Sequence, residues 1–191
     1  MLCPILHKSI YHLRSGVIFA KVRSRWLRFL GARIGKNTVL GHISVTWPHQ
    51  ISLGSNCTVE PGVIFKFDGP FRNGPSIIVG NWVFIGTNVE FNIRVGLSIG
   101  DHALIASGCR FIDHDHGMDA ASLIKTQPGL EAPIRLGQDC WIGANVVILK
   151  GVCVGRGAVI GAGAVVNKPV PDYEVWAGVP ARRIGSRKRA T

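Results

Sequence analysis

Residues 136–166 read LGQDCWIGANVVILKGVCVGRGAVIGAGAVV, and an aliphatic residue returns there at every sixth position. Glycine follows four of the six recurring residues, which are Leu136, Ile142, Ile148, Val154, Ile160 and Val166. A period of six fits neither an α-helix, whose period is about 3.6, nor a single alternating strand. It fits a short strand followed by a corner, repeated around a coil. The stretch therefore predicts a β-solenoid.

The same step of six appears earlier in the chain, which extends the predicted solenoid toward the N-terminus. Four shorter runs carry it, at Ile34 and Leu40, at Leu53, Val59 and Phe65, at Val79, Ile85 and Phe91, and at Ile99, Ile105 and Phe111. All seventeen positions obey one rule, and we expect their side chains to point into the coil. Neighbouring glycines permit the backbone angles of tight corners, and β-branched residues favour extended backbone between corners.

Two further motifs follow the repeat. The run 141–166 continues into NKPVP at 167–171, and AGVPAR follows at 177–182. Over residues 31–188 the sequence resembles the hexapeptide acetyltransferases, and within them it is most similar to the sugar and polysaccharide O-acetyltransferases. The resemblance implies an all-β solenoid of the left-handed parallel β-helix type, with three hexapeptides per turn. It also implies a homotrimer whose active sites lie between subunits, with acetyl-CoA as the co-substrate.

The predicted organisation has three segments. Residues 31–170 form the β-helix, which an inserted active-site loop interrupts at 112–135, and residues 171–191 form an exit strand with a basic tail. Residues 1–30 form a basic amphipathic helical segment, because apolar residues recur there at approximately helical spacing among lysines and arginines. This segment has two interpretations. It is either a cap or trimer-docking helix packed on the solenoid, or a helix that binds an anionic membrane surface.

Lysine and arginine together outnumber the acidic residues 22 to 11, so a polyanionic partner is expected. Much of the excess lies at 8–33 and 182–189, whereas the middle of the chain is nearly balanced. No zinc-finger spacing or aromatic RNA-binding signature accompanies the basic residues, so we expect no nucleic-acid partner. The basic segments point instead to an anionic membrane surface, or to the phosphates of a cofactor or substrate.

Hydropathy and cysteine usage indicate the cellular setting. Hydrophobic residues make up 47% of the chain, yet no run approaches the roughly 20 apolar residues that a membrane-spanning helix requires. The N-terminal sequence lacks the apolar core and small-residue cleavage site of a secretory signal, so we expect a cytoplasmic protein. The five cysteines are widely spaced and form no CxxC pair, which favours buried free thiols over disulfides or a zinc knuckle.

The longest interruption of the period lies between Phe111 and Leu136, which are 25 residues apart where the rule requires six. Interruptions mark where a solenoid carries function, because inserted loops project from one face. Two shorter breaks follow Phe65 and Phe91, and we interpret all three interruptions as walls of an acceptor pocket. The long one contains IDHDHGMD at 112–119, the densest cluster of titratable residues in the chain.

Acetyl transfer from a thioester requires a base that takes the proton of the attacking acceptor, and histidine suits this task. By the resemblance, His114 falls at the family's catalytic position and is predicted to be the general base. Asp113 or Asp115 is expected to orient its imidazole, as a carboxylate does in a triad. His116 has three open roles: a supporting catalytic group, a substrate contact or a structural histidine. A hydrogen-bonded loop cluster with no catalytic duty is the alternative for the whole group.

The resemblance also assigns a groove for coenzyme A, and the interruptions of the repeat supply the predicted acceptor contacts. Small residues permit the close approach of a pantetheine arm, although solenoid corners need small residues for steric reasons of their own. Cations at the end of the repeat would meet the phosphates of the cofactor. The predicted cofactor-binding residues are Ala144, Ala162, Asn167, Lys168 and Arg182, and the predicted substrate-binding residues are Asn92, Asp115 and Asp119.

Two other functions are alternatives to acetyl transfer. The γ-type carbonic anhydrases share the solenoid and bind zinc through three histidines, for which His102, His114 and His116 would be available. The two loop histidines fall inside an insertion rather than on ordered strands, so no metal site is expected. A non-enzymatic scaffold is the second alternative. Among acetyltransferases, the loop and the basic N-terminal segment favour a sugar hydroxyl in cell-surface polysaccharide or lipopolysaccharide biosynthesis, with an amino sugar or nucleotide-amino sugar as the alternative acceptor.

Overall fold

The computed structural model describes residues 17–187 of the chain. One α-helix, α1, spans Val17–Phe29 and covers the end of the predicted N-terminal helical segment. Residues 1–16 of that segment and residues 188–191 of the predicted basic tail lie outside the described part. From Arg33 to Arg187 the chain forms twenty short strands and two 3-10 turns, at Pro48–Gln50 and Ile124–Thr126.

The strands form three sheets, which the chain visits in rotation. Sheet A contains β1 (Arg33–Ile34), β4 (Ile51–Leu53), β7 (Ile77–Val79), β10 (Leu97–Ile99), β13 (Ile134–Leu136) and β16 (Cys153–Val154). Sheet B contains β2 (Val39–Leu40), β5 (Thr58–Val59), β8 (Phe84–Ile85), β11 (Leu104–Ile105), β14 (Trp141–Ile142), β17 (Val159–Ile160), β19 (Glu174–Ala177) and β20 (Arg182–Ser186). Sheet C contains β3 (Ser44–Val45), β6 (Ile64–Phe67), β9 (Glu90–Ile93), β12 (Arg110–Ile112), β15 (Val147–Leu149) and β18 (Val165–Val166).

Every strand before β20 pairs in parallel with a strand of a neighbouring coil, so the three sheets are the walls of a left-handed parallel β-helix. The predicted inward positions fall in register from coil to coil. In sheet C, for example, Phe65 pairs with Phe91 and Phe91 with Phe111, and the centroids of neighbouring rings are 5.0 Å apart. Sixteen of the seventeen positions are buried, and Ile34 in the first coil is half-buried. The predicted fold is therefore confirmed.

Helix α1 packs on the first coil. Ala20 and Ser24 face the solenoid and are buried. Arg23 donates to the carbonyl oxygens of Leu40, at 2.9 Å, and Gly41, and Arg28 donates to those of Ile34, at 3.0 Å, and Gly35, at 3.1 Å. The described part of the N-terminal segment is thus a cap on the β-helix. Among residues 17–187, no helix is both long enough and apolar enough to cross a membrane.

The C-terminal segment continues the solenoid before it turns back. Strand β19 pairs in parallel with β17 and so adds a further strand to sheet B. Strand β20 then pairs antiparallel with β19, and Ala181 between them donates its N–H to the carbonyl oxygen of Val165 at 2.8 Å. This segment, predicted as a single exit strand, is a β-hairpin.

The long connections of the fold share one edge. The C–A edge consists of the segments that lead out of sheet C, which are 46–50, 68–76, 94–96, 113–133, 150–152 and 167–169. All three predicted interruptions lie there, because Phe65, Phe91 and Phe111 occupy the same register column of sheet C. The segments from sheet B to sheet C form the opposite B–C edge and have only three or four residues each. The longer insertions are therefore stacked on a single side of the molecule.

The cysteines in the described part of the chain are free. Cys57, Cys109 and Cys140 are buried in the core and Cys153 is half-buried, whereas Cys3 lies outside the described residues. Burial raises the pKa of the Cys140 thiol to about 12, and burial also raises the pKa of the Cys109 thiol. The prediction of buried free thiols is confirmed for three of the four described cysteines.

Candidate functional site

The inserted loop at 113–133 folds back on itself, so that its two ends run antiparallel. The N–H of Asp115 donates to the carbonyl oxygen of Leu130 at 3.1 Å, and the N–H of Ala132 donates to that of Asp113 at 2.9 Å. His114 and Glu131 form an isolated antiparallel bridge between these two bonds. The pairing holds the DHDH cluster against the C–A edge of the β-helix rather than at the exposed tip of the loop.

Asp113 is the anchor of this arrangement. Its side chain is fully buried, and its carboxylate accepts the N–H groups of Arg94 at 2.8 Å, Val95 at 2.8 Å and Gly96 at 2.9 Å. These three donors belong to the segment of the preceding coil on the C–A edge. Burying an unpaired charge is costly, and the three N–H donors offset this cost, so they stabilise the buried carboxylate of Asp113.

His114 lies against this anchor. Its Nδ1 is 3.1 Å from Oδ1 of Asp113, and its side chain is 16% exposed. The carboxylate can only accept here, so it favours the tautomer with a proton on Nδ1 and a free lone pair on Nε2. Of the two aspartates that sequence left open for this task, the structure places Asp113 against the imidazole.

Asp115 has a different partner. Its carboxylate accepts a hydrogen bond from Nζ of Lys150, which lies in the C–A segment of the following coil, and another from the N–H of Leu130 at 2.9 Å. The hydrogen bond from Lys150 holds the pKa of Asp115 below its usual range. Asp115 thereby ties the inserted loop to the β-helix, and its predicted contact with substrate stays a prediction.

The other loop residues differ in their surroundings. His116 is exposed, and the described part of the chain offers its ring no hydrogen bond. Asp119 is also exposed, and its Oδ1 accepts the N–H of Ala121 at 2.9 Å within the loop itself. The structure brings Asp113 and His114 together, but it gives His116 and Asp119 no comparable setting.

Asn92 provides a polar group on the outer face of sheet C. It lies between the buried residues Phe91 and Ile93 of β9, and its register partner on β12 is Ile112, two residues before His114. Its Oδ1 is shielded from solvent and has no hydrogen-bond partner among residues 17–187. Leaving such an acceptor unsatisfied costs about 1–3 kcal/mol, so a ligand that donates a hydrogen bond here would recover that cost.

The predicted cofactor residues lie on both sides of sheet C. Ala144 and Ala162 occupy the same corner of adjacent coils on the B–C edge, where the N–H of Gly163 donates to the carbonyl oxygen of Ala144 at 2.8 Å. Arg182 begins β20, directly after the hairpin turn at 178–181, whose Gly178 and Ala181 bond to Val165 at the start of β18. Asn167 and Lys168 lie instead on the C–A edge, below the loop that carries the histidines.

The charge of the cofactor residues is available for a ligand. Lys168 and Arg182 are exposed, and neither forms an ion pair with a carboxylate in the described part of the chain. Arg182 donates to the carbonyl oxygen of its neighbour Ala181 at 2.8 Å. The small, exposed Ala162 would allow an extended ligand to approach closely, and Lys168 and Arg182 would suit phosphates at the end of such a ligand.

Three residues of the site were missed from the sequence. Lys150 holds Asp115, and Arg94 Nε lies 2.7 Å from Glu131 Oε1, although its N–H is not aligned with that oxygen. The repeat itself carried a signal for Lys150, because Lys150 follows Ile148 by two residues as Asp113 follows Phe111. Equal offsets from inward positions place both residues at the start of a segment on the C–A edge.

The alternative zinc site has no counterpart in the described fold. His102 lies between sheets A and B and stacks on Trp82, with 6.4 Å between the ring centroids, whereas His114 lies on the C–A edge. Within residues 17–187, no three side chains of histidine, cysteine, aspartate or glutamate are placed to hold a metal ion.

Sequence comparison places this parallel β-helix among the bacterial transferases. The six-repeat model of the bacterial transferase hexapeptide matches residues 133–168. The hexapeptide repeat of succinyl-transferase matches residues 31–64 and 76–109. WbbJ of Escherichia coli, whose name refers to O-acetyl transfer in lipopolysaccharide biosynthesis, is 35% identical over an alignment of 149 residues that covers 71% of each chain. The chain belongs to the hexapeptide-repeat acetyltransferase family, as its motifs predicted.

Other relatives are matched over part of their length. A probable acetyltransferase of Mycobacterium tuberculosis is 40% identical over 114 residues, which are 59% of this chain and 38% of the relative. The galactoside O-acetyltransferase of Escherichia coli is 35% identical over 133 residues, which are 70% of this chain and 62% of the relative. The chain thus spans less than two thirds of the length of both proteins.

Two solved structures share the fold. The hexapeptide-repeat acetyltransferase VCA0836 of Vibrio cholerae, complexed with acetyl coenzyme A, has a TM-score of 0.66 at 27% identity, covering 88% of this chain and 78% of that one. A serine-to-alanine mutant of AntD, an N-acyltransferase of Bacillus cereus in complex with dTDP-4-amino-4,6-dideoxyglucose and coenzyme A, has a TM-score of 0.73 at 25% identity. The match covers 87% of this chain and 90% of that one.

Proposed function

We propose that the protein transfers an acetyl group from acetyl-CoA to a hydroxyl of a sugar, in the biosynthesis of a cell-surface polysaccharide or lipopolysaccharide. The observation that carries this proposal is the contact of Asp113 with His114 beside the outer face of sheet C. Nearby, Asn92 offers a shielded acceptor atom that suits a hydroxyl group. The names of the WbbJ and galactoside relatives support a sugar acceptor.

His114 performs the proton transfers in this proposal. Its Nε2 takes the proton from the sugar hydroxyl as the oxygen forms a bond to the acetyl carbon. The imidazolium that results is stabilised by the buried carboxylate of Asp113. His114 then returns the proton to the sulfur as the carbon–sulfur bond breaks, which releases the free thiol and leaves the histidine neutral again.

The cofactor would lie beside the B–C edge of one subunit, against the C–A edge of the next. Exposed Ala162 and half-buried Ala144 leave room for the pantetheine arm on the B–C edge, and Arg182 and Lys168 supply cations for phosphates. Arginine and lysine bind phosphate through charge-assisted hydrogen bonds, which are about twice as strong as neutral ones. VCA0836, which shares the fold, is complexed with acetyl coenzyme A.

A homotrimer with sites between subunits is part of the proposal. His114 lies on the C–A edge, whereas Ala144, Ala162 and Arg182 lie on or beside the B–C edge, so sheet C separates the two groups within one chain. A trimer would place the C–A edge of one subunit against the B–C edge of the next. Sedimentation measures this directly, and a fully active monomer contradicts it.

Peripheral contact with an anionic membrane is also proposed, with a cytoplasmic location. On α1, Trp26 and Phe29 stack with 5.7 Å between their centroids and are 59% and 80% exposed, beside the basic residues Lys21 and Arg25. Aromatic and basic residues on one exposed helix face suit the headgroup region of a bilayer. Co-sedimentation of the full chain with anionic vesicles, but not with neutral ones, is expected, and loss of binding in the Trp26→Ala variant would identify the face.

An amino group of a nucleotide-linked sugar is the second candidate acceptor. The likeness to AntD, whose structure contains coenzyme A and a dTDP-linked amino sugar, favours this candidate. The chemistry at His114 would be similar. After the ammonium group has lost one proton to solvent, the amine nitrogen bonds to the acetyl carbon, and His114 takes the second proton from it and returns that proton to the departing sulfur.

One assay tests both candidates. The full chain is mixed with acetyl-CoA and a panel of simple glycosides, oligosaccharides and nucleotide-amino sugars, and release of the thiol is followed. Mild alkali removes an acetyl ester but leaves an acetamide, so it separates O-transfer from N-transfer. Thiol release that requires a sugar and disappears in the His114→Ala variant is expected. Failure to bind acetyl-CoA at millimolar concentration would favour the non-enzymatic scaffold.

A further inference from the structure

A small cavity opens on the C–A edge near the capped end of the β-helix. It has a volume of 140 Å³ and is formed by the first two segments of that edge. Its lining consists of Trp47, His49, Gln50, Phe67, Gly69 and Phe71. None of these residues belongs to the site around His114, although both features lie on the same edge of the molecule.

Three rings surround this cavity. The centroid of His49 lies 6.0 Å from that of Trp47, with the planes at 68°, and 5.4 Å from that of Phe71, with the planes at 43°. Trp47 is 54% exposed and Phe71 is 76% exposed. An apolar cluster this accessible marks an interaction site, because burying it against a partner removes apolar surface from water.

The cavity also has an unsatisfied polar group. Nε2 of His49 is shielded from solvent and has no hydrogen-bond partner among residues 17–187. Its neighbour Gln50 is buried with its amide engaged, donating to the carbonyl oxygen of Arg72 at 2.7 Å and accepting from the hydroxyl of Ser76 at 2.8 Å. The floor of the cavity is therefore fixed, whereas the shielded Nε2 of His49 has no partner among the described residues.

We propose that this cavity binds a sugar ring of the acceptor glycan other than the ring that receives the acetyl group. This inference rests on the proposed function. A pyranose has apolar C–H faces that pack on aromatic rings and hydroxyl groups that bond to a nitrogen such as Nε2 of His49. Such a ligand matches both features of the cavity, the exposed rings and the unpartnered nitrogen.

The position of the cavity defines the class of acceptor. Neighbouring strands of a sheet are separated by about 4.8 Å. His114 follows β12, and the cavity segments follow β3 and β6, which are three and two strands away in sheet C. The cavity is thus displaced from His114 by roughly 10–14 Å along the axis of the β-helix. A single sugar cannot occupy both places, so the acceptor is an oligosaccharide or a polymer.

Binding at a distance would assist the transfer itself. Contacts with a part of the substrate that does not react can position the reacting hydroxyl at His114. The expected signature is a dependence of kcat/KM on chain length, because a single glycoside makes no contact at Trp47 or Phe71. A tetramer of the same sugar reaches both regions and should be the better acceptor.

The test compares matched variants of the full chain. Trp47→Ala and Phe71→Ala each remove one ring of the cavity, and His49→Phe keeps a ring but removes the nitrogen. Trp82→Ala is the control, because Trp82 is 57% exposed and stacks on a histidine away from the C–A edge. For each variant, kcat/KM is measured with the methyl glycoside and the tetramer of the sugar accepted in the panel. Tetramer binding without acetyl-CoA is measured separately.

The wild type and Trp82→Ala should prefer the tetramer. Each cavity variant should lose about threefold to tenfold of that preference and of tetramer binding, with the methyl glycoside rate unchanged. Equal rates for both acceptors in the wild type, or a preference unaffected by Trp47→Ala, would overturn the inference. An equal loss toward both acceptors with a smaller sedimenting species would assign the cavity to a second copy and overturn it as well. If no sugar is acetylated by the wild type, the proposed function itself fails.

Discussion

Nδ1 of His114 lies 3.1 Å from Oδ1 of Asp113, the residue directly before it in the chain. Asp113 is fully buried, whereas the side chain of His114 is 16% exposed. The carboxylate is held by the backbone of the preceding coil, and the imidazole is held by the carboxylate. The orientation of His114 is therefore set by the β-helix and does not depend on the far part of the inserted loop.

His114→Ala is predicted to lower turnover by roughly 10² to 10⁴, because a positioned base contributes that much in rate. The dissociation constant of acetyl-CoA should not change, since the lost interaction is made only as the proton leaves the acceptor. The thermal midpoint should change little, because Asp113 keeps its three N–H donors. Turnover is measured at saturating acceptor, with acetyl-CoA binding measured separately.

His116→Ala is the matched control for that variant. His116 lies on the same loop two residues later, but it is exposed and has no hydrogen bond in the described part of the chain. We expect a smaller loss, mainly in acceptor affinity. A larger turnover loss in His116→Ala than in His114→Ala, at equal stability, would reverse the assignment of the base.

Asp113→Asn is predicted to reduce both stability and turnover. The amide turns a donor toward groups that need an acceptor, and an unsatisfied buried group costs about 1–3 kcal/mol. In a domain of this size, each kcal/mol corresponds to a fall of about 2–4 °C in thermal midpoint. Asp119→Asn is the control, because Asp119 is exposed and bonds within its own loop. Equal midpoints for the two variants would show that the three N–H groups do not anchor Asp113.

The contact between Asp115 and Lys150 predicts a pH dependence of loop stability. The pKa of Asp115 is lower in the folded protein, so its contribution is complete above the unfolded value of about 3.9 and is lost as pH falls through the folded value. Asp115→Asn should therefore lower the midpoint at pH 7, and the difference from wild type should shrink below pH of about 4. Added salt should also reduce it, since the pair is partly exposed. A difference that stays constant down to the acid limit would contradict this account.

Arg182→Ala and Lys168→Ala are predicted to raise the Michaelis constant for acetyl-CoA at least several-fold. A charge-assisted hydrogen bond is worth about 1.5–3 kcal/mol, and neither residue forms an ion pair in the described structure that would compete with phosphate. Each variant should also discriminate less against dephospho-CoA derivatives. Arg183→Ala is the control, since Arg183 pairs with Glu174 at 2.9 Å instead. An unchanged constant in Arg182→Ala would remove that residue from the cofactor site.

The repeat was predictable because its rule is local. Within a run, each inward residue follows the previous one by six positions. The same rule identified Phe65, Phe91 and Phe111, which share one register column of sheet C and precede the three interruptions. The position of His114 on the inserted loop was predictable as well, because its motif directly follows the inward residue Phe111, and its role as the general base stays a prediction. The repeat also carries a signal for Lys150 that the prediction did not use. Lys150 and Asp113 each lie two residues after an inward position, which places Lys150 beside the loop.

The partners of Asp113 could not be predicted in the same way. Its three donors are backbone N–H groups of residues 94–96, and such groups have no signature in a sequence because every residue except proline carries one. The choice between Asp113 and Asp115 likewise depended on contacts across coils. The break after Phe65, which lines part of the cavity around His49, was predicted to be a wall of the acceptor pocket. Trp47 and His49 were missed, because a tryptophan in a connection indicates packing as readily as binding.

Arg23 and Arg28 of α1 cap the exposed edge of the first coil of the β-helix. The carbonyl oxygens of Ile34 and Leu40 are acceptors that a further strand would otherwise use, and Arg28 and Arg23 occupy them. An open strand edge can recruit a strand from another molecule and so start filaments. By engaging these acceptors with side chains, α1 closes part of the first coil to end-to-end polymerisation, so molecules can associate through their sides without growing along the axis at that end.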